Sequence, residues 1–239
     1  NSNMKTICII PARYGSTRIK AKPLIKIYGQ TLLQITYEAV KKSKLFDKVF
    51  IATDSEKIKT IAASFGAICH ITSSKCKNGS ERCAELVKTL SQKINAEDLI
   101  INMQCDEPFI QKSHLKNFIE LLKNINNNNF QIGTIVCPIK KSDISNDSVV
   151  KAHINNGENI VSNFTRKISK EYSKIYQHVG IYGYKANVLL KLAALAQSKR
   201  EKEESLEQLR WLENGYKICC SLIKKNISSI NTYNDIKKL

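Results

Sequence analysis

The sequence lacks the features that mark membrane proteins and metal- or disulfide-stabilised domains. No uninterrupted apolar stretch approaches the ~20 residues that a membrane-spanning helix requires, and no signal peptide is visible near the N-terminus. The 8 cysteines include no C-x-x-C pair, which argues against a zinc knuckle or a thioredoxin-type redox motif. We therefore expect a cytoplasmic protein, without a membrane partner, whose cysteines are reduced and mostly buried as small apolar residues.

Acidic residues are also scarce: 21 Asp and Glu stand against 38 Lys and Arg, for a formal net charge of +17. Such an excess is compatible with nucleic-acid binding. However, the lysines are scattered along the chain, and the basic runs interleaved with aromatic residues that a single-strand binder uses are missing. We interpret the charge as a solvated basic surface and predict no nucleic-acid partner.

The length of 239 residues and the hydrophobic content of 42% suit one domain over residues 4–239, with halves at 4–140 and 141–239. In the first half, runs rich in Ile and Val alternate with helical patterns. This alternation predicts an α/β fold, a parallel sheet with helices on both faces. The predicted strands are 5–10, 48–54, 67–71, 98–108 and 132–139, and the predicted helices are 31–44, 55–65, 80–94 and 113–125, with serines 55, 80 and 113 as N-caps.

The second half has a different pattern. Two alternating runs flank the turn dipeptide Asn156–Gly157 and predict a hairpin. Further strands are predicted at 177–184 and 217–223, and helices at 185–197, 203–214 and 232–239.

In an open α/β sheet, ligands bind at the carboxyl ends of the strands. Three predicted loops meet at that edge: 12–24 after the first strand, Asp54 after the second and 104–107 after the fourth. The first of these is unusually basic, with Arg13, Arg18, Lys20 and Lys22. Its sequence is neither a Walker A loop nor a G-x-G-x-x-G fingerprint. By itself it fits a phosphate site and an ordinary basic turn equally well.

The fourth-strand loop favours the phosphate site. Asp106 and Glu107 end a buried strand, where a carboxylate is unfavourable unless it is paired or bound to a metal. An acid that faces phosphate-binding cations is suited to hold Mg²⁺ on a polyphosphate. The alternative is that this carboxylate is simply paired with Lys22 or Arg18.

Six motifs, in order along nearly the whole chain, resemble those of the 3-deoxy-manno-octulosonate (Kdo) cytidylyltransferases: "IIPARYGSTRIKAKPL", "FIATDSEKI", "NGSERCAE", "INMQCDEP", "QHVGIYGY" and "ESLEQLRWLENG". The resemblance implies a nucleotide-diphospho-sugar-transferase-like fold, with a mixed, mostly parallel sheet. It also implies Mg²⁺-dependent transfer of CMP from CTP to the anomeric hydroxyl of Kdo, an acidic 2-keto sugar, with release of pyrophosphate, for lipopolysaccharide biosynthesis. The implied enzyme is a homodimer whose second half binds the sugar and dimerises.

The resemblance also implies roles for particular residues, each carried over by its place in a motif. Arg13, Lys22 and Asp106 would be catalytic, and Asp106 and Asn231 would bind the metal ion. The nucleotide would be bound by Arg13, Ser16, Arg18, Lys22, Ser80, Arg82 and Gln104. The sugar would be bound by Arg166, His178, Tyr182, Glu207 and Gln208.

The chain departs from the family pattern at four places. Lys20–Ala21 replace Pro-Gly, Cys105 replaces Gly, and Asn231 replaces an Asp that completes metal binding, which predicts weaker affinity for a second ion. The segment between Arg166 and Gln177, which borders the expected sugar pocket, is shorter than in the family. These changes leave two alternatives open. One is a cytidylyltransferase for another acidic sugar, such as an 8-amino analogue of Kdo; the other is a basic binding protein without turnover.

Overall fold

The computed structural model describes residues 4–15, 19–125, 129–155, 157–168 and 174–238. Ser16 and Arg18, two of the predicted nucleotide-binding residues, lie outside these ranges. So does Asn156 of the predicted hairpin turn.

Nine strands of the described residues form one sheet in the order β5-β4-β1-β6-β10-β7-β11-β9-β8. A small separate hairpin consists of β2 (Lys26–Ile27) and β3 (Gln30–Thr31). The strands of the large sheet are β1 (Thr6–Ala12), β4 (Lys48–Thr53), β5 (Ile68–Ile71), β6 (Leu99–Met103), β7 (Ile132–Pro138), β8 (Lys151–Ile154), β9 (Ile160–Thr165), β10 (Ile175–Lys185) and β11 (Ile218–Leu222).

The sheet is mixed. Strand β1 is parallel to both β4 and β6, β4 is parallel to β5, and β11 is parallel to β7. Strand β10 runs antiparallel between β6 and β7 and also pairs with β8. Strand β9 runs antiparallel to both β11 and β8. Seven of the nine strands therefore point the same way, all but β9 and β10, and the prediction of a mixed, mostly parallel sheet is confirmed in that sense.

The helices are α1 (Leu32–Ser43), α2 (Glu56–Ser64), α3 (Gly79–Thr89), α4 (Lys112–Lys123), α5 (Ala186–Ala194), α6 (Lys199–Glu204), α7 (Gln208–Glu213) and α8 (Tyr233–Lys237). They cover both faces of the sheet, as the alternating pattern predicts. Cys8 and Ile10 of β1 belong to one apolar cluster with residues of α1, α2 and α4. Ile7 and Ile9 belong to another with residues of α3, α5 and α7, because successive side chains of a strand point to opposite faces.

Some predicted boundaries are wrong. The single helix predicted at 203–214 is two short helices, because Ser205 adopts a left-handed conformation (φ 54°) that ends α6. Asn78 rather than Ser80 caps α3, its side chain accepting from the Glu81 amide, and α4 begins after Gln111 rather than at Ser113. Ser55 caps α2 as predicted.

All 8 cysteines are free, and 6 of them are buried, which confirms the prediction that they act mostly as small core residues. In the part of the chain that the structure describes, no helix has the length and apolar character needed to cross a membrane.

Candidate active site

A cleft of about 890 Å³ opens at the carboxyl ends of the parallel strands. The ends of β1 and β6 line it, as predicted. Asp54, which follows β4, does not line the cleft but lies next to it, where its Oδ1 accepts from the Tyr14 amide across 3.0 Å. Ten of the predicted site residues line the cleft: Arg13, Arg82, Gln104, Asp106, Arg166, His178, Tyr182, Glu207, Gln208 and Asn231. Residues far apart in the sequence are thus brought to one place.

Lys22 and Asp106 form an ion pair beside the cleft. Lys22 Nζ lies 2.9 Å from Asp106 Oδ2, and the two side chains are 16% and 26% exposed. Lys22 begins a short 3-10 turn, Lys22–Leu24, directly after Ala21 in a left-handed conformation. The paired state of Asp106, one of the two sequence alternatives, is therefore present, while its partly exposed carboxylate remains accessible from the cleft.

Arg82 is buried beneath the rim of the cleft. Its guanidinium donates to Thr72 Oγ1 (2.7 Å) and to the Ser73 carbonyl (3.1 Å), and it lies 3.5 Å from Asp54 Oδ2. These contacts hold the loop that follows β5 and orient Asp54. Arg82 thus supports the walls of the cleft, and direct contact with a nucleotide stays a prediction.

A buried polar network forms the floor of the cleft. Asn102 Nδ2 donates to Ser80 Oγ (3.2 Å) and to the Tyr184 hydroxyl (3.1 Å), while Asn102 Oδ1 accepts from Gln104 Nε2 (3.0 Å). Gly79 permits this arrangement, because a Cβ there would lie 2.5 Å from Gln104 Nε2. The network fixes the orientation of the Gln104 amide. The sequence motifs contained Asn102 and Tyr184 but gave no sign of this role.

Glu207, the residue before α7, is a partly buried carboxylate that contacts the start of α3. Its two oxygens accept from the Ser80 amide (3.3 Å) and from Ser80 Oγ (3.2 Å), a favourable place for an acid near a helix N-terminus. Burial raises the pKa of Glu207 to about 7, and the hydrogen bonds from Ser80 oppose that rise. The carboxyl group therefore titrates close to neutral pH.

The raised pKa of Glu207 predicts a pH-dependent stability. The folded protein keeps this proton to a higher pH than the unfolded chain, so the free energy of unfolding falls as the pH rises toward 7. Glu207→Gln removes the titration. We expect the stability of the variant relative to wild type to increase from about pH 5 to about pH 8, by up to about 3 kcal/mol, measured by urea unfolding. Glu203→Gln, at an exposed position of α6, is the matched control. If the free energies of unfolding of Glu207→Gln and wild type change with pH in parallel, the raised pKa of Glu207 is contradicted.

His178 is buried between two aromatic rings and is held in one tautomer. Its Nε2 lies 2.9 Å from Thr134 Oγ1, and that hydroxyl donates to the Ile181 carbonyl across 2.8 Å. Because the hydroxyl proton is already used, Nε2 must be the donor, which leaves Nδ1 as an acceptor. Burial lowers the pKa of His178 to about 3, so the ring is neutral at neutral pH and lines the cleft as a hydrogen-bonding group.

The other predicted sugar-binding residues differ in their surroundings. Tyr182 packs edge-on against Trp211, with ring centroids 4.9 Å apart, and Gln208 is buried at the start of α7. The Arg166 guanidinium lies in the cleft wall and donates to the carbonyls of residues 204, 147 and 205.

Asn231 lies on the segment that precedes α8. Its amide and that of Thr232 both donate to Asp235 Oδ2, at 2.9 and 2.7 Å. Asp235 is thus committed to the start of α8, and the residues of this segment that line the cleft are Ser229 and Asn231. Glu107, which has no role implied by the motifs, also lies in the cleft wall.

The family comparison identifies a cytidylyltransferase domain, which matches residues 7–218. The 3-deoxy-manno-octulosonate cytidylyltransferase of Thermodesulfovibrio yellowstonii is 41% identical over 98% of this chain and 96% of its own. The enzyme of the same name from Parabacteroides distasonis is 36% identical, with the same coverage of both chains.

Solved structures agree with the sequence relatives. The structure of CMP:2-keto-3-deoxy-manno-octonic acid synthetase complexed with CTP superposes with a TM-score of 0.84 at 28% identity, over 98% of this chain and 96% of that one. At 14% identity, 4-diphosphocytidyl-2C-methyl-D-erythritol synthase shares the fold, with a TM-score of 0.66 over 100% and 97% of the two chains. This chain therefore belongs to the cytidylyltransferase family and, within it, to the 3-deoxy-manno-octulosonate cytidylyltransferases.

Proposed function

We propose that this protein transfers CMP from CTP to the anomeric hydroxyl of Kdo and releases pyrophosphate. The observation that carries the proposal is the full-length similarity to enzymes of that name, including one whose structure holds CTP. The cleft supports it, because Arg13 and the Lys22–Asp106 pair stand at the strand ends where α/β proteins bind nucleotides.

The chemistry asks the protein mainly to position two substrates and to neutralise charge. Nucleotidyl transfer builds negative charge at the α-phosphate and on the leaving pyrophosphate. Arg13 offers a planar fork for phosphate oxygens, and Lys22 offers a compact ammonium charge. Such preorganised cations stabilise the transition state without a covalent nucleophile.

We propose Mg²⁺ as the metal ion. Among the described residues, no cluster of three or more His, Cys, Asp or Glu could hold a metal ion. The cleft does present the Asp106 carboxylate and Asn231, and Mg²⁺ in nucleotide sites is held by one or two carboxylates together with the substrate phosphates. The donor set fits an ion carried on the triphosphate. Bound there, it would neutralise phosphate charge and polarise the α-phosphate.

The sugar pocket is proposed to lie between β10 and α7. The neutral His178 ring presents Nδ1 as an acceptor for a sugar hydroxyl, and the Gln208 amide can both donate and accept. Because burial lowers the pKa of His178 to about 3, the ring is neutral and only weakly basic at neutral pH, and its proposed role is to orient the sugar.

A coupled assay of pyrophosphate release with CTP and Kdo tests the proposal. Turnover with CTP and Kdo, and little with UTP, is the expected result. Turnover with an 8-amino analogue but not with Kdo would favour the related sugar. CTP binding without turnover on any 2-keto acid would favour the binding protein, and strong salt-dependent retention on DNA would contradict the absence of a nucleic-acid partner.

Asn231→Asp tests the proposed metal site. An added carboxylate in the cleft should strengthen Mg²⁺ binding, because a charged oxygen ligand attracts the ion more than an amide oxygen does. We expect a lower Mg²⁺ concentration at half-maximal turnover. Asn155→Asp, on the exposed hairpin between β8 and β9, adds the same charge away from the cleft and is the matched control. An unchanged Mg²⁺ titration for Asn231→Asp would remove this residue from the metal site.

We further propose that the protein is a cytoplasmic homodimer of lipopolysaccharide biosynthesis, as the resemblance implies. Sedimentation equilibrium of the full chain tests the dimer, with twice the 27.0 kDa mass of one chain as the expected result.

A further inference from the structure

Glu107 is a buried acid that the mechanism above does not use. It follows Asp106 directly and is 3% exposed. Its Oε1 accepts from the Gly180 amide at 2.9 Å, and Ser229 Oγ lies 2.8 Å from each of its oxygens. A buried carboxylate is strongly unfavourable unless donors surround it. Here the donors come from two other segments of the chain, which both contact Glu107.

The first of these segments is an irregular part of β10. The pairing of β10 with β7 shifts register between Val179 and Tyr182, and Gly180 lies within that shift. The Gly180 carbonyl accepts from the Gln104 amide at 3.2 Å, while its N–H donates to Glu107. Both polar backbone groups of Gly180 are thus bound by the loop that carries Asp106.

The second segment is the approach to α8. Ser229 is followed by Ile230, whose amide donates to the Asp106 carbonyl at 2.9 Å, and then by Asn231. The contact between Glu107 and Ser229 therefore holds the segment that presents Asn231 against the loop that presents Asp106. Without the Ser229–Glu107 contact, the two segments would keep the backbone hydrogen bond from the Ile230 amide to the Asp106 carbonyl.

We propose that Glu107 is a positioning residue for the divalent metal ion. It fixes Asp106 and Asn231 relative to each other, and to β10, without touching the ion itself. The inference rests on the proposed function, since the ion is the one expected to accompany CTP. Groups that orient metal ligands in this way commonly change metal affinity or activity by about 10–100-fold when they are removed.

Two substitutions of Glu107 separate position from charge. Glu107→Leu removes every acceptor and leaves the Gly180 amide and the Ser229 hydroxyl without this partner. Glu107→Gln removes the charge, but it keeps an oxygen for the Gly180 amide and an NH₂ group that can donate to Ser229 Oγ. If Glu107 acts through its position, the Glu107→Gln variant should keep most of the Mn²⁺ affinity that the Glu107→Leu variant loses.

The measurement is Mn²⁺ binding in the presence of CTP, followed by electron paramagnetic resonance, alongside pyrophosphate release. We expect Glu107→Leu to weaken Mn²⁺ binding about 10–100-fold, Glu107→Gln to stay close to wild type, and Ser229→Ala to fall between them. Asp98→Asn is the matched control: Asp98 lies just before the other end of β6, is 1% exposed and accepts from the amides of Lys5 and Asn95. This control should lower stability and leave Mn²⁺ binding unchanged.

Each result has one reading. Wild-type Mn²⁺ affinity in Glu107→Leu would overturn the inference. Equal weakening in the Gln and Leu variants would also overturn it, because the charge rather than the position would then matter. If Glu107→Leu does not fold, the Mn²⁺ affinities of the other proteins decide the question. Affinity close to wild type in Glu107→Gln and weaker in Ser229→Ala supports the inference, and any other order overturns it. Wild-type protein that neither binds CTP nor releases pyrophosphate would instead refute the proposed function.

Discussion

Lys22→Ala is expected to lower the turnover number about a hundredfold, judging by the removal of single charge-stabilising donors in other enzymes. Lys22 Nζ lies beside Asp106 at the mouth of the cleft, where the triphosphate of CTP would bring several negative charges. Its ammonium group stabilises the charge that grows on the leaving pyrophosphate more than the charge already present in bound CTP. The loss should therefore fall mainly on kcat, measured by pyrophosphate release at saturating substrates.

The same variant decides between the two roles open to the Lys22–Asp106 pair. A purely structural pair with 16% and 26% exposed side chains would contribute at most about 1 kcal/mol to stability and would leave kcat nearly normal. The proposed catalytic role predicts a similarly small change in stability but a large fall in kcat, so kcat is the measurement that separates the two. Lys26→Ala in β2 is the control, because Lys26 is an exposed lysine only four residues further along. A near-normal rate for Lys22→Ala would remove Lys22 from the reaction.

The position of the cleft could be predicted because it depends on local pattern and on one rule of sheet geometry. Runs of Ile and Val separated by amphipathic helices require parallel strands, and parallel strands end at a common edge. Arg13, Asp54 and Asp106 each follow such a run, so their convergence needed no knowledge of the strand order.

The supports of the cleft could not be predicted, because they depend on contacts between residues far apart in the sequence. The Asn102–Tyr184 hydrogen bond spans 82 residues and the Ser229–Glu107 bond spans 122. The first depends on the insertion of β10 between β6 and β7 and the second on the position of the segment before α8, and strand propensity encodes neither. The sequence could show that Glu107 needs a partner in a buried position, but it could not name Gly180 or Ser229.

The break between α6 and α7 was missed for a similar reason. The pattern predicts one helix over residues 203–214, and nothing in the sequence at Ser205 marks a stop. In the structure, the Glu204 carbonyl accepts from Arg166 Nε (2.7 Å) and the Glu204 carboxylate from the Arg166 amide (3.2 Å). Tertiary contacts with β9 and its following residues thus compete with continuation of the helix, and the turn that results places Glu207 and Gln208 in the cleft wall.

Arg210→Met is expected to destabilise the fold by about 3–5 kcal/mol, because it leaves a buried carboxylate without its charge partner. Arg210 is 1% exposed and donates through Nε and Nη2 to both oxygens of Glu201, at 2.7 and 2.6 Å. Its Nη1 donates to the Leu195 carbonyl at 2.8 Å, and its Nη2 lies 3.3 Å from Glu81 Oε1. One guanidinium thereby ties α7 to α6, to the end of α5 and to α3.

Urea unfolding measures the loss, which would be a large part of the about 5–15 kcal/mol that stabilises a typical protein. Arg200→Met is the matched control, because Arg200 and Glu213 are 3.9 Å apart with 49% and 30% exposed side chains, and such a pair contributes about 0–1 kcal/mol. In the double variant Glu201→Met/Arg210→Met no unpaired acid remains at position 201, so it should recover part of the stability that Arg210→Met loses. Equal stability losses in the Arg210 and Arg200 variants would show that the buried pair does not hold the α6–α7 region.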